Sequence, residues 1–188
     1  YFAVGGDLNP ERLKLAYHYG IFPWSAFRKP RLEWCCPMRR FVIFANEIHV
    51  SHSMRTLINS GRYIVTYDQC FEDVICACST INGRHDDRHA WLGEEVIQAF
   101  LSLHRQGFAH SVEVWNKTGG QLAGGFYGVL ANRCFVGDSM FSREPNTSKL
   151  GLITLCRTMA SSGQECIVDC QIRTEHFKSL GGRYIPYT

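Results

Sequence analysis

The chain has 188 residues, 45% of them apolar and 20% charged, with a formal net charge of +3 at pH 7. That length supports one domain plus a small appendage, and the balance excludes a disordered tail or a low-complexity array. The charge is compatible with a nucleic-acid partner but is too small to identify one. Nine cysteines are present, an odd number, and none are spaced as C-x-x-C, so a zinc ribbon or redox motif is not indicated. Cys76, Cys78, His85 and His89 have ligand chemistry, but small core thiols and surface histidines are the plainer reading, and no metal or other cofactor is expected. No apolar run reaches membrane length and no leader is visible, so free thiols point to a reducing cytoplasm.

In chain order, "GGDLNPERLKLAYHYG" reads as a turn and then a helix. Asn9 is its N-cap, Pro10 its first residue, Leu13, Ala16 and Tyr17 its apolar stripe, and Gly20 its stop. "SAFRKPRLEWCCPMRR" is a proline-punctuated basic loop, and "FVIFA" a strand. "EIHVSHSMRTLINSG" predicts a helix ended by Gly61, "YIVTYD" a strand, and "QCFEDVICACST" a helix. "INGRHDDRHAWLG" is a polar surface loop. "EEVIQAFLSLHRQG" is an amphipathic helix with a glycine stop. Residues 110–142 hold three short strands separated by glycine turns. "TSKLGLITLCRTMASSG" is a helix capped near Asn146 or Thr147, "CIVDCQI" a strand, and "TEHFKSLGG" a short helix. Helices, an antiparallel meander, a helix and a strand make an α+β protein with a mostly antiparallel sheet flanked by helices.

The strand "CIVDCQI" ends on an acid and an amide two residues apart. Side chains alternate along a strand, so Asp169 and Gln171 share one face and Cys170 takes the other. A nucleophilic cysteine beside an acid therefore fails on geometry, and a polar pair aimed together remains. By itself such a pair can simply close a strand end.

Several stretches together resemble one family. "GGDLNPERLKLAYHYGIFPW", "HSVEVW", "GGFYGV", "GDSMFSR", "NTSK" and the "DCQ", "H" and "SLGG" elements, in this order, are similar to the leucyl/phenylalanyl-tRNA–protein transferases. The likeness spans nearly the whole chain. Two places differ: the family usually has Glu where Asp138 stands, and "EWCCPMRR" keeps Trp34, Pro37 and Arg40 of a loop but not the rest. The resemblance implies a small N-terminal domain over 1–39 and a domain like the GNAT acyltransferases over 40–188. It implies a monomeric enzyme that moves Leu or Phe from aminoacyl-tRNA to the N-terminus of proteins beginning with Arg or Lys.

The residues suit such a reaction. An aminoacyl ester is already activated, and an α-amine of pKa about 8 attacks it without a covalent enzyme intermediate. Holding amine and ester in line, stabilising the oxyanion and steering one proton suffice. The resemblance assigns Asp169 and Gln171 to the reaction centre and Asp138 to the cationic acceptor peptide. Trp24 and Trp91 match tryptophans placed at the terminal adenosine of the tRNA. Phe126, Phe135, Leu152 and Leu155 are candidates for the pocket that takes the donor side chain, or for plain core. Arg40, His52 and Arg55 are candidates for acceptor-stem phosphates. His110 and His176 flank these motifs and are not assigned as bases. A CoA-dependent acyltransferase would want a glycine-rich loop where "SREPNTSKLG" stands, and a non-catalytic tRNA-binding module would not need the acid–amide pair.

Overall fold

The computed structural model describes residues 2–24, 32–80 and 93–187. The first element of substance is helix α1, Pro10–His18. Asn9 caps it by accepting from the Glu11 amide at 2.9 Å, with proline in the first turn, as the sequence predicts. Leu13, Ala16 and Tyr17 are its buried face. Around α1 lie three short strands, β1 (Ala3–Val4), β2 (Phe22–Trp24) and β3 (Glu33–Cys35), in the order β1-β3-β2. Strand β3 lies inside the stretch expected to be loop. Three residues are too few for alternation to show, and the pairing of Trp34 with Ala3 and Pro23 is set by partners distant in sequence.

The main sheet has seven strands: β4 (Arg39–Phe44), β5 (Tyr63–Tyr67), β6 (Ala109–Asn116), β7 (Leu122–Ala131), β8 (Cys134–Ser142), β9 (Ile167–Asp169) and β10 (Arg183–Pro186). Their order is β10-β4-β9-β8-β7-β6-β5, and every neighbouring pair is antiparallel except β8 and β9. The meander β6–β8 is longer than the three short strands expected. Helix α2 (His52–Asn59) begins later than the sequence suggests, because Ser51 in extended geometry accepts the Met54 amide and sets the start there. Helices α3 (Phe71–Thr80), α4 (Glu94–Arg105), α5 (Thr147–Ala160) and α6 (Glu175–Ser179) complete the set.

Two cores form, one on each face of this sheet. The first contains Leu13 and Tyr17 of α1, Phe22 and Trp34 of the small sheet, Phe71 and Ile75 of α3, Phe100 of α4, and Tyr127, Val136 and Phe141 of the main sheet. The small N-terminal unit thus shares a core with one face of the main sheet. The second contains Phe41, Met54, Phe126, Phe135, Leu152, Ile153, Cys156, Val168 and Cys170, with α5 as its lid. A buried acid on the first face, Glu113, is satisfied within the scaffold. It accepts from Thr66 at 2.6 Å and Ser111 at 2.5 Å, and from the Gln69 amide at 3.3 Å.

One irregularity governs β8. Tyr127 opposes Ser139 and Gly128 opposes Gly137, so Asp138 faces no partner on β7. An extra residue in one strand is a β-bulge, and it reverses the alternation beyond it. Phe135 and Met140 accordingly lie in the same core though five apart, as do Val136 and Phe141. Gly128 sits at this bulge. A Cβ there would overlap the Val136 carbonyl and lie 2.8 Å from the Phe135 ring. Gly128→Ala is therefore expected to lower stability by about 3 kcal/mol, the upper part of the overpacking range, read as a shift in urea midpoint with unchanged slope. A midpoint equal to wild type would mean that the bulge is plastic.

Candidate functional site

The bulge turns Asp138 toward α1, where its Oδ1 accepts from the Tyr17 hydroxyl at 2.7 Å. The same oxygen accepts from Gln171 Nε2 at 3.1 Å. Asp138 keeps a half-buried surface as a residue, but its Oδ2 is enclosed and has no hydrogen-bond partner among the described residues. Burial pushes the Asp138 carboxyl up from 3.8 to about 7, with the nearby Asp169 adding to the rise and bonds from Tyr17 and Gln171 opposing it. Tyr17 is driven well above its ordinary value by its own burial and then by the Asp138 charge, so it stays a proton donor.

Gln171 reaches Asp138 by a route that alternation along a strand does not describe. β9 ends at Asp169, and Gln171 has φ 63° in the left-handed region. The Ile172 amide donates to the Cys170 carbonyl at 2.7 Å, which closes a tight three-residue turn around Gln171. Asp169 Oδ1 accepts the Gln171 amide at 2.8 Å and holds the turn from inside. Asp169 and Gln171 converge as expected, but through a turn rather than through strand parity. A glutamine in this region of φ is strained, and such strain is found where surrounding groups over-determine it.

Cys170 does turn away. It is 5% exposed, packs into the α5-side core and places Sγ 3.8 Å from the Val168 carbonyl. Burial, with the Asp169 charge behind it, drives this thiol far above the ordinary range, and burial pushes Cys156 up to about 12. A thiolate nucleophile is disfavoured in both places.

Arg40 requires a correction. It was expected to meet phosphate at the surface, but it is 5% exposed and donates to Asp169 Oδ2 and to the Gly20 carbonyl. Its guanidinium lies over the Phe22 ring, 5.1 Å from the centroid. Phosphate has no access to a side chain so enclosed. His52 and Arg55 are exposed on α2. Trp24 is half-buried on β2, edge-on to Phe22 at 6.2 Å. Trp91, like His85 and His89 and most of the expected polar loop, lies outside the described residues. Phe126, Phe135, Leu152 and Leu155 are all buried in the α5-side core, with the two phenyl rings edge-to-face at 5.9 Å. His110 Nδ1 pairs with Asp68 at 2.8 Å on another part of the sheet. His176 has an enclosed Nε2 without a partner among the described residues, and burial, then Lys149, lower its pKa.

Tyr17 is the site residue that sequence reasoning missed. Its place in the α1 stripe marks it as buried, and a buried tyrosine hydroxyl needs a partner. Nothing local says that the partner is Asp138, 121 residues away. Two acids, an amide and a phenol thus gather where α1 meets the main sheet, with the adjacent thiol in the opposite core. This is a mixed α+β protein with an acid–amide site.

Comparison with known proteins places that frame. The family model described as leucyl/phenylalanyl-tRNA protein transferase matches residues 42–188, and that of the family's N-terminal domain matches 6–38. A leucyl/phenylalanyl-tRNA–protein transferase of Syntrophus aciditrophicus is 48% identical over 98% of this chain and 75% of its own length. One of Hydrogenovibrio crunogenus is 46% identical, over 97% and 70%. A conserved protein of unknown function from Staphylococcus epidermidis, known by crystal structure, is similar with a TM-score of 0.50. It is 11% identical, over 98% of this chain and 67% of that one, which is a likeness of fold alone. The chain belongs to the leucyl/phenylalanyl-tRNA protein transferase family, a family of aminoacyltransferases.

The raised Asp138 carboxyl has a consequence for stability. Between 3.8 and about 7 the folded protein holds this proton and the unfolded chain releases it. The group's contribution to stability therefore falls as pH rises through that window and is constant above it. Asp138→Asn removes the effect. The stability of Asp138→Asn relative to wild type should grow from pH 4 to pH 7 by at least about 1 kcal/mol, measured by urea unfolding. A difference that is flat with pH would contradict the enclosed carboxyl.

Proposed function

We propose that the chain moves Leu or Phe from aminoacyl-tRNA to the N-terminal α-amine of proteins that begin with Arg or Lys. Family membership supports the reaction class, and one observation carries the mechanism: Asp138, Asp169 and Gln171 converge while Cys170 faces the opposite core. The amine attacks the ester carbonyl carbon directly. A nitrogen–carbon bond forms, the ester carbon–oxygen bond breaks, and the proton lost by the amine ends on the departing adenosine hydroxyl. Gln171 Nε2 is engaged by Asp138, which leaves its Oε1 as the acceptor for an amine N–H. Asp169 keeps Gln171 in its left-handed turn. Asp138, half-buried as a residue and ionised above about 7, is the carboxyl that suits the cationic acceptor peptide.

Trp24 and Trp91 stack on the terminal adenosine, a contact worth about 1–3 kcal/mol per base. Phe126, Phe135, Leu152 and Leu155 are packed in the α5-side core, on the sheet face opposite Asp138 and Gln171, so of the two readings the sequence leaves open they fit the plain core. His52 and Arg55 meet the acceptor stem. The chain divides into an N-terminal domain over 1–39 and a GNAT-like domain over 40–188. The meander β5–β8, followed by α5 and the parallel strand β9, supports that assignment. The enzyme acts as a cytoplasmic monomer. Among the described residues no helix is long and apolar enough to cross a membrane.

Incubation with Leu-tRNA or Phe-tRNA and an Arg-starting peptide tests this reading by peptide mass. The peptide should gain one Leu or Phe, a Ser-starting peptide should gain nothing, and no gain from any aminoacyl-tRNA refutes the reading. Cys170→Ala should keep kcat within about threefold of wild type while losing about 1–2 kcal/mol of stability from the core. A folded but inactive Cys170→Ala protein would instead demand a thioester intermediate.

A further inference from the structure

We propose that Arg40 is a positioning residue for the transfer reaction, setting the geometry of Gln171 through Asp169; this rests on the functional reading above. Asp169 is fully committed in its two directions. Its Oδ1 accepts the Gln171 amide at 2.8 Å, and its Oδ2 is held by Arg40. The amide it holds belongs to a residue at φ 63°, a conformation glutamine does not adopt without external support. Release Asp169, and the turn that presents Gln171 to Asp138 loses its inner fastening.

Arg40 is itself fixed from a different part of the chain. It donates to the carbonyl of Gly20, just past the end of α1, and stacks over Phe22 of β2. Gly20 has φ +65°, and a Cβ there would lie 2.9 Å from the Tyr187 ring and 3.4 Å from Arg40 Nη1. The guanidinium therefore joins three pieces at once: the end of α1, the small sheet and the reaction-centre turn. A planar fork with several donors can do this, whereas an ammonium has no such geometry.

Stability alone does not account for the arrangement. Arg40 and Asp169 are each 5% exposed, and Arg40 Nε is enclosed with no partner among the described residues. A buried ion pair of this kind seldom outperforms an apolar pair of equal volume, so its presence is weak evidence of a stabilising role. Its effect on orientation is direct, because both remaining bonds of the pair end on the site or on the unit packed against it.

The test uses the full chain and two readouts. In free protein, amide hydrogen exchange by NMR should show Gln171 protection in Arg40→Met reduced by at least about tenfold, with the β6 and β7 amides as in wild type. In the transfer assay, kcat should fall by at least about tenfold with KM for aminoacyl-tRNA unchanged within about twofold. Added guanidinium should restore part of the activity of Arg40→Ala, and Arg40→Lys, which keeps the charge but loses the fork, should fall between wild type and Arg40→Met. Unchanged Gln171 protection in Arg40→Met overturns the proposal, as does kcat within about threefold of wild type. Should Arg40→Met fail to fold, Arg40→Lys decides by the same two measurements. A wild-type protein that transfers nothing defeats the functional reading instead, and the exchange result then decides this one alone.

Discussion

One surplus residue in β8 decides which side of the sheet carries the site. With regular pairing to β7, alternation would carry the two halves of β8 to faces that the cores do not allow: Phe135 and Met140 could not share the α5-side core, nor Val136 and Phe141 the other. Placing the extra residue at Asp138 resolves the mismatch and leaves that carboxylate free of ladder constraints. It can then reach Tyr17 and Gln171 together. Gly128 opposite the bulge supplies the room, since any side chain would strike the β8 backbone.

The second constraint is the shared core between the N-terminal unit and the sheet. Tyr17 contributes its ring to that core, edge-on to Phe100 at 6.4 Å, and its hydroxyl to Asp138. Phe22 likewise packs in the core and underlies the Arg40 guanidinium. Apolar burial thus delivers polar groups to the site: the energy that docks α1 is hydrophobic, and the hydrogen bonds inherit their positions from it. The carboxylate Asp138 is kept in a low-dielectric setting by the same packing, which is why its proton affinity is high.

Much of this was readable from the sequence wherever the signal is local. The α1 cap at Asn9, the stripe at Leu13, Ala16 and Tyr17, and the extent of α4 follow from capping and periodicity. Where partners are remote, the reading stops. Strand β3 and strand β10 are short and defined by what they pair with. An arginine in a basic, proline-rich stretch carries no mark of burial, so Arg40 was assigned to the surface although its partner Asp169 lies 129 residues on. The meeting of Asp169 and Gln171 was anticipated by alternation, yet a left-handed turn produces it. The resemblance to a family supplied residue roles that neither periodicity nor composition contains.

The contacts that close the site span 121 residues between Tyr17 and Asp138 and 129 between Arg40 and Asp169. Closing loops of that length costs chain entropy before any contact repays it, and such pairings form late. During synthesis α1 emerges long before β8 and β9 exist. A nascent or truncated chain can therefore hold local turns and much of the meander without the cluster of Tyr17, Asp138 and Gln171. The cluster belongs to the finished topology.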